Sequence, residues 1–320
     1  MNGFTASISL VAFPIPLGDG TSGIILVDRA NKSARIIAEQ GYTHWSPRFS
    51  RDGERIVFAR GRSKDDGQEL LSCIVATWHC ATMLRTHNSL NSPVDVGNGD
   101  VMFASSPAIV THNNAVRYVR NDLYIVKKGT PPKQLTKLAL YQLGSISLSG
   151  DKIFFEADGR RNIRTGNCLD PDRCTGREDN SYIFALDFDP GTQTIVNSPE
   201  MLTPPFIIAG LSVRPQISTD GSLIAFKHTN KAGGRWSYDI LVATLDGVKK
   251  GGYRVKGTEL SPGAFVGESL LFNELYGDHY RIACIDDFMT CSEITVMHSP
   301  EYLKTIERIA LTIDPVAPSL

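Results

Sequence analysis

The chain has 320 residues, with 33 lysines and arginines against 34 aspartates and glutamates and a net charge of −1. Near-neutrality argues against nucleic acid or an anionic membrane surface as an obligatory partner, because both are gripped by excess positive charge. No apolar run reaches the roughly 18–20 residues of a spanning helix, so no membrane span is expected. The apolar stretch from Ala6 to Leu17 has no basic leading segment and contains Pro14 and Pro16, so it does not read as a signal peptide. The protein is therefore either cytoplasmic or exported with its leader absent from this sequence.

In chain order, a short apolar run ending in phenylalanine recurs six times: Leu10 to Phe13, Ile56 to Phe58, Val101 to Phe103, Ile153 to Phe155, Ile224 to Phe226 and Leu270 to Phe272. The phenylalanines are 45, 45, 52, 71 and 46 residues apart, and the widest gap contains an insertion. Upstream of them, Pro47 to Gly53 and Pro215 to Gly221 each form a strand running into an Asp-Gly turn, the other units carrying looser versions at Pro93, Ser145 and Pro262. Asp-Gly between apolar runs marks a hairpin, since glycine accepts the positive φ that tight turns demand. Downstream, third strands are expected at Ile24 to Asp28, Leu70 to Val75, Leu123 to Val126, Tyr182 to Leu186, Tyr238 to Val242 and Tyr280 to Cys284. Shorter fourth strands follow, such as Gln134 to Thr136 and Glu200 to Thr203. Short strands at a period of roughly 40–50 residues imply an all-β, six-bladed β-propeller with four-stranded blades, a single domain over residues 1–320.

The repeat Pro-x-aromatic-Ser-x-Asp-Gly, then apolar-apolar-Phe, a Tyr/Ile-rich strand ending in Asp, then Leu-Thr, resembles that of TolB-type propellers. The resemblance covers essentially the whole chain, and the units at Pro47 and Pro215 carry its turn motif most fully. It implies a propeller fold and a periplasmic setting. It does not carry over the Tol–Pal partnership, because the family's N-terminal α/β domain has no room in this chain.

The first unit lacks an obvious inner strand. The apolar segment Ile306 to Thr312 is expected to supply it, so that N- and C-terminal strands share one blade and close the ring. The competing reading is a C-terminal helix from Pro300 to Leu311.

In a propeller the linkers between blades gather at one mouth of the central channel. Here they bring His44, Tyr141, Arg214, Glu259 and Tyr302, a mixed set suited to a protein segment, glycan or small polar ligand. The long loop within residues 157–181, rich in both arginine and carboxylates, is the insertion and would overhang that mouth. Linear signatures of catalysis are absent: there is no Gly-x-Ser-x-Gly elbow, His-Glu-x-x-His or phosphate loop. No metal or cofactor is expected, although His44, His228 and His279 could meet across blades. The leading expectation is a monomeric, non-catalytic recognition module. Its rivals are a lyase, hydrolase or cyclase using the same mouth, and a structural subunit using an outer blade edge.

All six cysteines fall into close pairs: Cys73/Cys80, Cys168/Cys174 and Cys284/Cys291. The first and last pairs straddle the turn between third and fourth strands, where cross-strand neighbours meet the short separation a disulfide requires. An even count with local pairing points to an oxidising compartment, hence a periplasmic or extracellular protein. Zinc is the competing reading, but these gaps are wider than the Cys-x-x-Cys knuckle. Thiol titration of denatured, unreduced protein from an oxidising host is expected to find close to no free thiols. Six free thiols would remove the argument for export.

Overall fold

The computed structural model describes residues 5–6, 10–28, 30–31, 33–62, 67–110, 116–118, 120–140, 142–158, 181–202, 211–218, 220–232, 235–245, 249–255, 259–266, 269–276, 279–286, 289–290, 294–297 and 307–314. Among them every regular element is a strand. The N-terminal sheet runs β1 (Thr5–Ala6), β2 (Leu10–Pro16), β3 (Ser22–Asp28), β4 (Ser33–Ile37). The next runs β5 (Thr43–Phe49), β6 (Arg55–Gly61), β7 (Gln68–Ile74), β8 (His79–Thr86). A third contains β9 (Asn91–Gly97) and β10 (Asp100–Ser105), then, after a ribbon of β11 (Ala108–Val110) and β12 (Val116–Tyr118), β13 (Asp122–Lys127) and β14 (Lys133–Gln134). The sheet after it has β15 (Leu143–Ser149), β16 (Lys152–Asp158) and β17 (Ser181–Asp189), with β18 (Thr194–Ile195) and β19 (Glu200–Met201) both pairing with β17. Then come β20 (Leu211–Ile217), β21 (Leu223–Ala232), β22 (Arg235–Thr244) and β23 (Lys249–Val255). The last sheet has β24 (Glu259–Val266), β25 (Ser269–Tyr276) and β26 (His279–Asp286), with β27 (Met289–Thr290) and β28 (Ile294–Met297) on β26. The C-terminal segment adds β29 (Glu307–Ile309) and β30 (Thr312–Ile313).

The first four strands of each sheet are antiparallel, and the inner strands touch in the order β1, β5, β9, β15, β20, β24 and back to β1. That arrangement is a β-propeller. Five sheets have inner strands of seven or eight residues, whereas the N-terminal sheet has only the two residues of β1 there.

Local chemistry explains the hairpins. In the β5–β6 turn the Ser50 hydroxyl donates to Asp52 Oδ1 at 2.5 Å and accepts the Arg55 N–H at 2.9 Å. The β20–β21 turn repeats this with Ser218, Asp220 and the Leu223 N–H. Gly53 and Gly221 take φ of 74° and 76°, which a side chain would strain. Hydrogen bonds from the Ser218 and Ser222 hydroxyls and the Ser222 N–H hold Asp220 down to a pKa of about 2.

The core lies between blades rather than within them. Ile56 and Phe58 face the N-terminal sheet, meeting Ala12, Ile24 and Leu26, while Val57 and Ala59 face the other way against Val101 and Phe103. The same alternation places Ile224 and Phe226 against Ile183, and Ala225 against Leu270 and Phe272. All six recurring phenylalanines are buried, none more than 2 % exposed.

The closure of the ring differs from the sequence expectation. The inner edge of the N-terminal sheet is occupied by β1, with Thr5 opposite Ala12 and Ala6 opposite Val11. Strand β29 does join that sheet, but at its outer edge, parallel to β4. Strand β30 then runs parallel to β8 on the outside of the next blade. The physical reason is that the inner edge already has its hydrogen-bonding partner, while the outer edges would otherwise present unpaired backbone. Side chains secure the segment: Glu307 pairs with Arg35 at 3.3 Å, and Asp314 with His79 at 2.9 Å and with Lys128 on the β13–β14 turn.

Cys73 and Cys80 face each other across β7 and β8 and form a disulfide. Cys284 lies in β26, and Cys168, Cys174 and Cys291 lie outside the described residues.

Replacing Phe58 or Phe226 by alanine is expected to cost roughly 3–5 kcal/mol, as at other buried aromatic sites. Denaturant unfolding measures this, and a loss below ~1 kcal/mol at both positions would show that these rings do not carry the blade interfaces.

Candidate functional site in the central channel

Antiparallel order sends the β5–β6 type of turn to one face of the propeller and the inter-blade linkers to the other, with the inner strands lining the channel between. Four inner strands carry a bulge at the same place, where two residues oppose the buried phenylalanine of the neighbouring strand. The first bulge residue sits in the left-handed region each time: Ser46 at φ 53°, Ser92 at 50°, Ser145 at 49° and Arg214 at 59°. A non-glycine residue there costs on the order of 1–3 kcal/mol, so the surrounding structure must enforce it. Part of that enforcement is visible. The Ser145 N–H donates to Ser92 Oγ at 2.7 Å, and the Arg214 N–H to Glu156 Oε2 at 2.6 Å. Three bulges use serine, and only the fourth carries a guanidinium.

Just past the bulge, two of these strands carry a long polar side chain that reaches into the channel. Arg48 on β5 and Gln216 on β20 hold this equivalent position, opposite Val57 and Ala225 respectively. Strands β5 and β20 are three places apart in either direction around the ring, so they stand across the axis from each other. Arg48 Nη1 donates to Gln216 Oε1 at 3.0 Å, a hydrogen bond that spans the channel. Arg48 keeps surface open to the channel while protein surrounds it on every side. Desolvation is therefore the main cause that lowers its pKa, to about 10; the like charge of Arg214 adds to this and Glu156 opposes it. The guanidinium remains charged at neutral pH. Glu156, on β16 and 9 % exposed, also accepts from Gln142 Nε2 at 3.3 Å. Gln216 is 5 % exposed, and its Nε2 is buried without a hydrogen-bond partner.

Near the mouth of the β5 blade, Tyr42 packs against two guanidinium groups, Arg60 at 4.1 Å and Arg62 at 4.4 Å from its ring centre. Arg60 is buried and pairs with Glu69 at 2.7 Å and Glu39 at 2.5 Å, and Glu69 also receives Arg85. This network is charge-satisfied and ties strands together.

Among the residues expected at the mouth, Arg214 lies at its bulge beside the channel. His44 is wholly buried, its ring 5.8 Å from Phe58 and 6.3 Å from Tyr42. Its Nδ1 lies 2.9 Å from the Ser22 carbonyl, which can only accept, so Nδ1 carries the proton and Nε2 is a buried lone pair without a partner. Glu259 opens β24, opposite Leu275 on β25. Tyr141 and Tyr302 lie outside the described residues. His228 is buried on β21, in a different sheet from His44, and His279 opens β26. Among the described residues no group of three or more His, Cys, Asp or Glu side chains is arranged to hold a metal ion. Asp158 and Ser181, the ends of the long insertion, pair directly at the mouth end of β16 and β17, and residues 159–180 lie outside the described residues.

Sequence reasoning missed Arg48 and Gln216. A signal was present, since they occupy the same slot of the two best-matched repeats, Pro47-Arg48 and Pro215-Gln216. The opposite face holds a cleft of about 760 Å³ lined by Asp187, Asp189 and Asp220. These carboxylates are engaged already, by Lys152, by Thr192 and by Ser218 and Ser222. The channel is therefore the stronger site.

Burial is the leading cause that lowers the pKa of His44 below its ordinary 6.5, followed by the Ser22 hydrogen bond, which opposes it. The unfolded chain takes up this proton below about pH 6.5 while the fold does not, so stability falls on acidification by up to ~1.4 kcal/mol per pH unit until the folded histidine titrates. His44→Gln is expected to flatten that fall in urea unfolding at mildly acid pH. An unchanged slope would show that the buried imidazole is not its source.

No protein-family model matches the chain, and no curated protein matches it in sequence. Solved structures do. TolB from Acinetobacter baumannii superposes with a TM-score of 0.62 at 13% identity, over 91% of this chain and 64% of that one. The present chain thus spans a little under two thirds of that protein's length. A putative TolB from Agrobacterium tumefaciens gives 0.54 at 13% identity, over 91% of each chain. Hydrazine synthase from Kuenenia stuttgartiensis gives 0.60 at 15% identity, over 92% of this chain and 47% of that one. At such identities the likeness is one of fold, and what the three share with this chain is the β-propeller.

Proposed function

We propose that this protein is a six-bladed propeller acting as a non-catalytic recognition module, taking a protein segment, glycan or small polar ligand at the mouth of its channel. The observation that carries this reading is the polar channel wall itself. Arg48 on β5 and Gln216 on β20 reach each other from two blades through a hydrogen bond across the channel, and Arg214 sits at the strained bulge of β20. The order in which the inner strands meet around the ring supports six blades, with the short β1 taken as the inner strand of the N-terminal blade. Arg214, Glu259, Tyr141 and Tyr302 form the mouth in this reading, and His44 supports it from below rather than touching ligand. The Cys73–Cys80 disulfide supports a periplasmic or extracellular setting, since cytosolic thiols are kept reduced.

Selection of peptides from a random display library, beside a glycan panel, tests the reading. Arg214→Ser is the informative variant because serine holds the same bulge in three other blades, so the fold should be retained. Selected ligands are expected to bind it about 10- to 150-fold more weakly, the loss of a hydrogen bond to a charged group, while Lys152→Ala on the opposite face binds as wild type. Ligands that bind Arg214→Ser and Glu259→Ala normally but are lost on editing an outer strand would place recognition on a blade edge instead.

A further inference from the structure

We infer that the C-terminal strap formed by β29 and β30 is a lid over the Cys73–Cys80 disulfide, so that a dithiol reaches this bond through local release of the strap and not through unfolding of the propeller.

The first observation is where the disulfide lies. Cys73 stands opposite Ile56 on β6 and opposite Cys80 on β8, and both cysteines are wholly buried. They belong to the apolar cluster that fills the seam between the first two blades, with Ala12, Ile24 and Leu26 on its far side. Thiol–disulfide exchange needs a thiolate in contact with one of the sulfurs, so the bond is inert until something over it moves. A cavity of about 200 Å³ opens at the same seam, but Leu10, Leu26, Val75 and Trp78 are among its lining and neither cysteine is.

The second is what covers it. The strap leaves the outer edge of β4 after Ile309 and joins the outer edge of β8 at Thr312, so it crosses this seam. Ile309 is buried in the cluster that holds both cysteines, and Leu311 and Ile313 pack against it. Ile313 is the register partner of Cys80, and the Asp314 N–H donates to the Cys80 carbonyl at 2.9 Å.

The third is how lightly the cover is held. Three strap residues pair with β4 and two with β8, whereas β7 is paired along its whole length on both sides. The ion pairs of the strap, Glu307 with Arg35 and Asp314 with His79 and Lys128, are partly open to water and contribute little each. A segment with so short a ladder opens at a free energy well below that of global unfolding.

The test follows reduction of the intact, folded protein by dithiothreitol. One thiolate of the reagent attacks a cysteine sulfur, breaking the S–S bond and forming a mixed disulfide. Its second thiol then closes the cyclic disulfide and releases both cysteines as thiols, the two electrons coming from the reagent. Samples are quenched with iodoacetamide and digested with trypsin. The tryptic peptide 65–85 carries both Cys73 and Cys80, so its mass reports this pair alone. Asp314→Ala is expected to speed the loss of the disulfide about 3- to 10-fold, and Ile309→Ala at least ~10-fold. Phe226→Leu, which weakens a distant blade interface, is expected to leave the rate unchanged. Wild-type rates in both strap variants overturn the inference. So does a Phe226→Leu rate that matches Ile309→Ala, because the route is then global unfolding, or wild-type reduction as fast as that of the urea-unfolded chain. Should Ile309→Ala fail to fold, Asp314→Ala against Phe226→Leu decides alone.

Discussion

Each blade here is a small sheet with two apolar faces, and neither face can be left to water. Along β6, Ile56 and Phe58 point to one neighbour and Val57 and Ala59 to the other. Because successive side chains leave a strand on opposite sides, a run of apolar residues forces burial on both. Stacking blades around an axis satisfies every face at once, and the rest of the architecture follows from it.

The ring leaves two places where packing alone does not suffice. At the outer rim the last strand of each sheet exposes unpaired backbone, a template for unwanted pairing. The C-terminal segment covers this edge on two adjacent blades through β29 and β30, and its Asp314 reaches a third through Lys128. At the centre, the inner strands are held apart by the blades behind them and cannot close into an apolar core. Long polar side chains from β5 and β20 reach into that space, and the bulge opposite Phe58 and Phe226 precedes them on the strand.

Buried charge takes two forms in this protein. Arg60 has Glu69 and Glu39 beside it, so its charge is neutralised within the fold. Such a network joins β6, β7 and the linker before β5, and has nothing left to offer a ligand. Arg48 feels the like charge of Arg214 and the opposing one of Glu156, and its hydrogen bond is to a neutral amide.

The repeat, the hairpins and the apolar runs were legible because each is written within about a dozen residues. Ser50-Arg51-Asp52-Gly53 closes its own turn, and Ile56-Val57-Phe58 announces its own two buried faces. The Cys73–Cys80 pair was legible for the same reason, its members being neighbours across one hairpin. Arg214 was named because linker residues approach the channel mouth, and it lies at the bulge of β20. His44 occupies a similar place in sequence, but the fold turned its ring inward onto Phe58. The terminal strand was recognised as a strand and assigned to the wrong edge, because two residues at Thr5–Ala6 are too short to announce themselves. Arg48 and Gln216 are 168 residues apart, and nothing local says that they meet. Their encounter depends on how many blades lie between them and on the angle at which each stands. The sequence by itself determined the blades; the closed ring decided which side chains share its axis, because only closure converts equal steps along the chain into opposition across a channel.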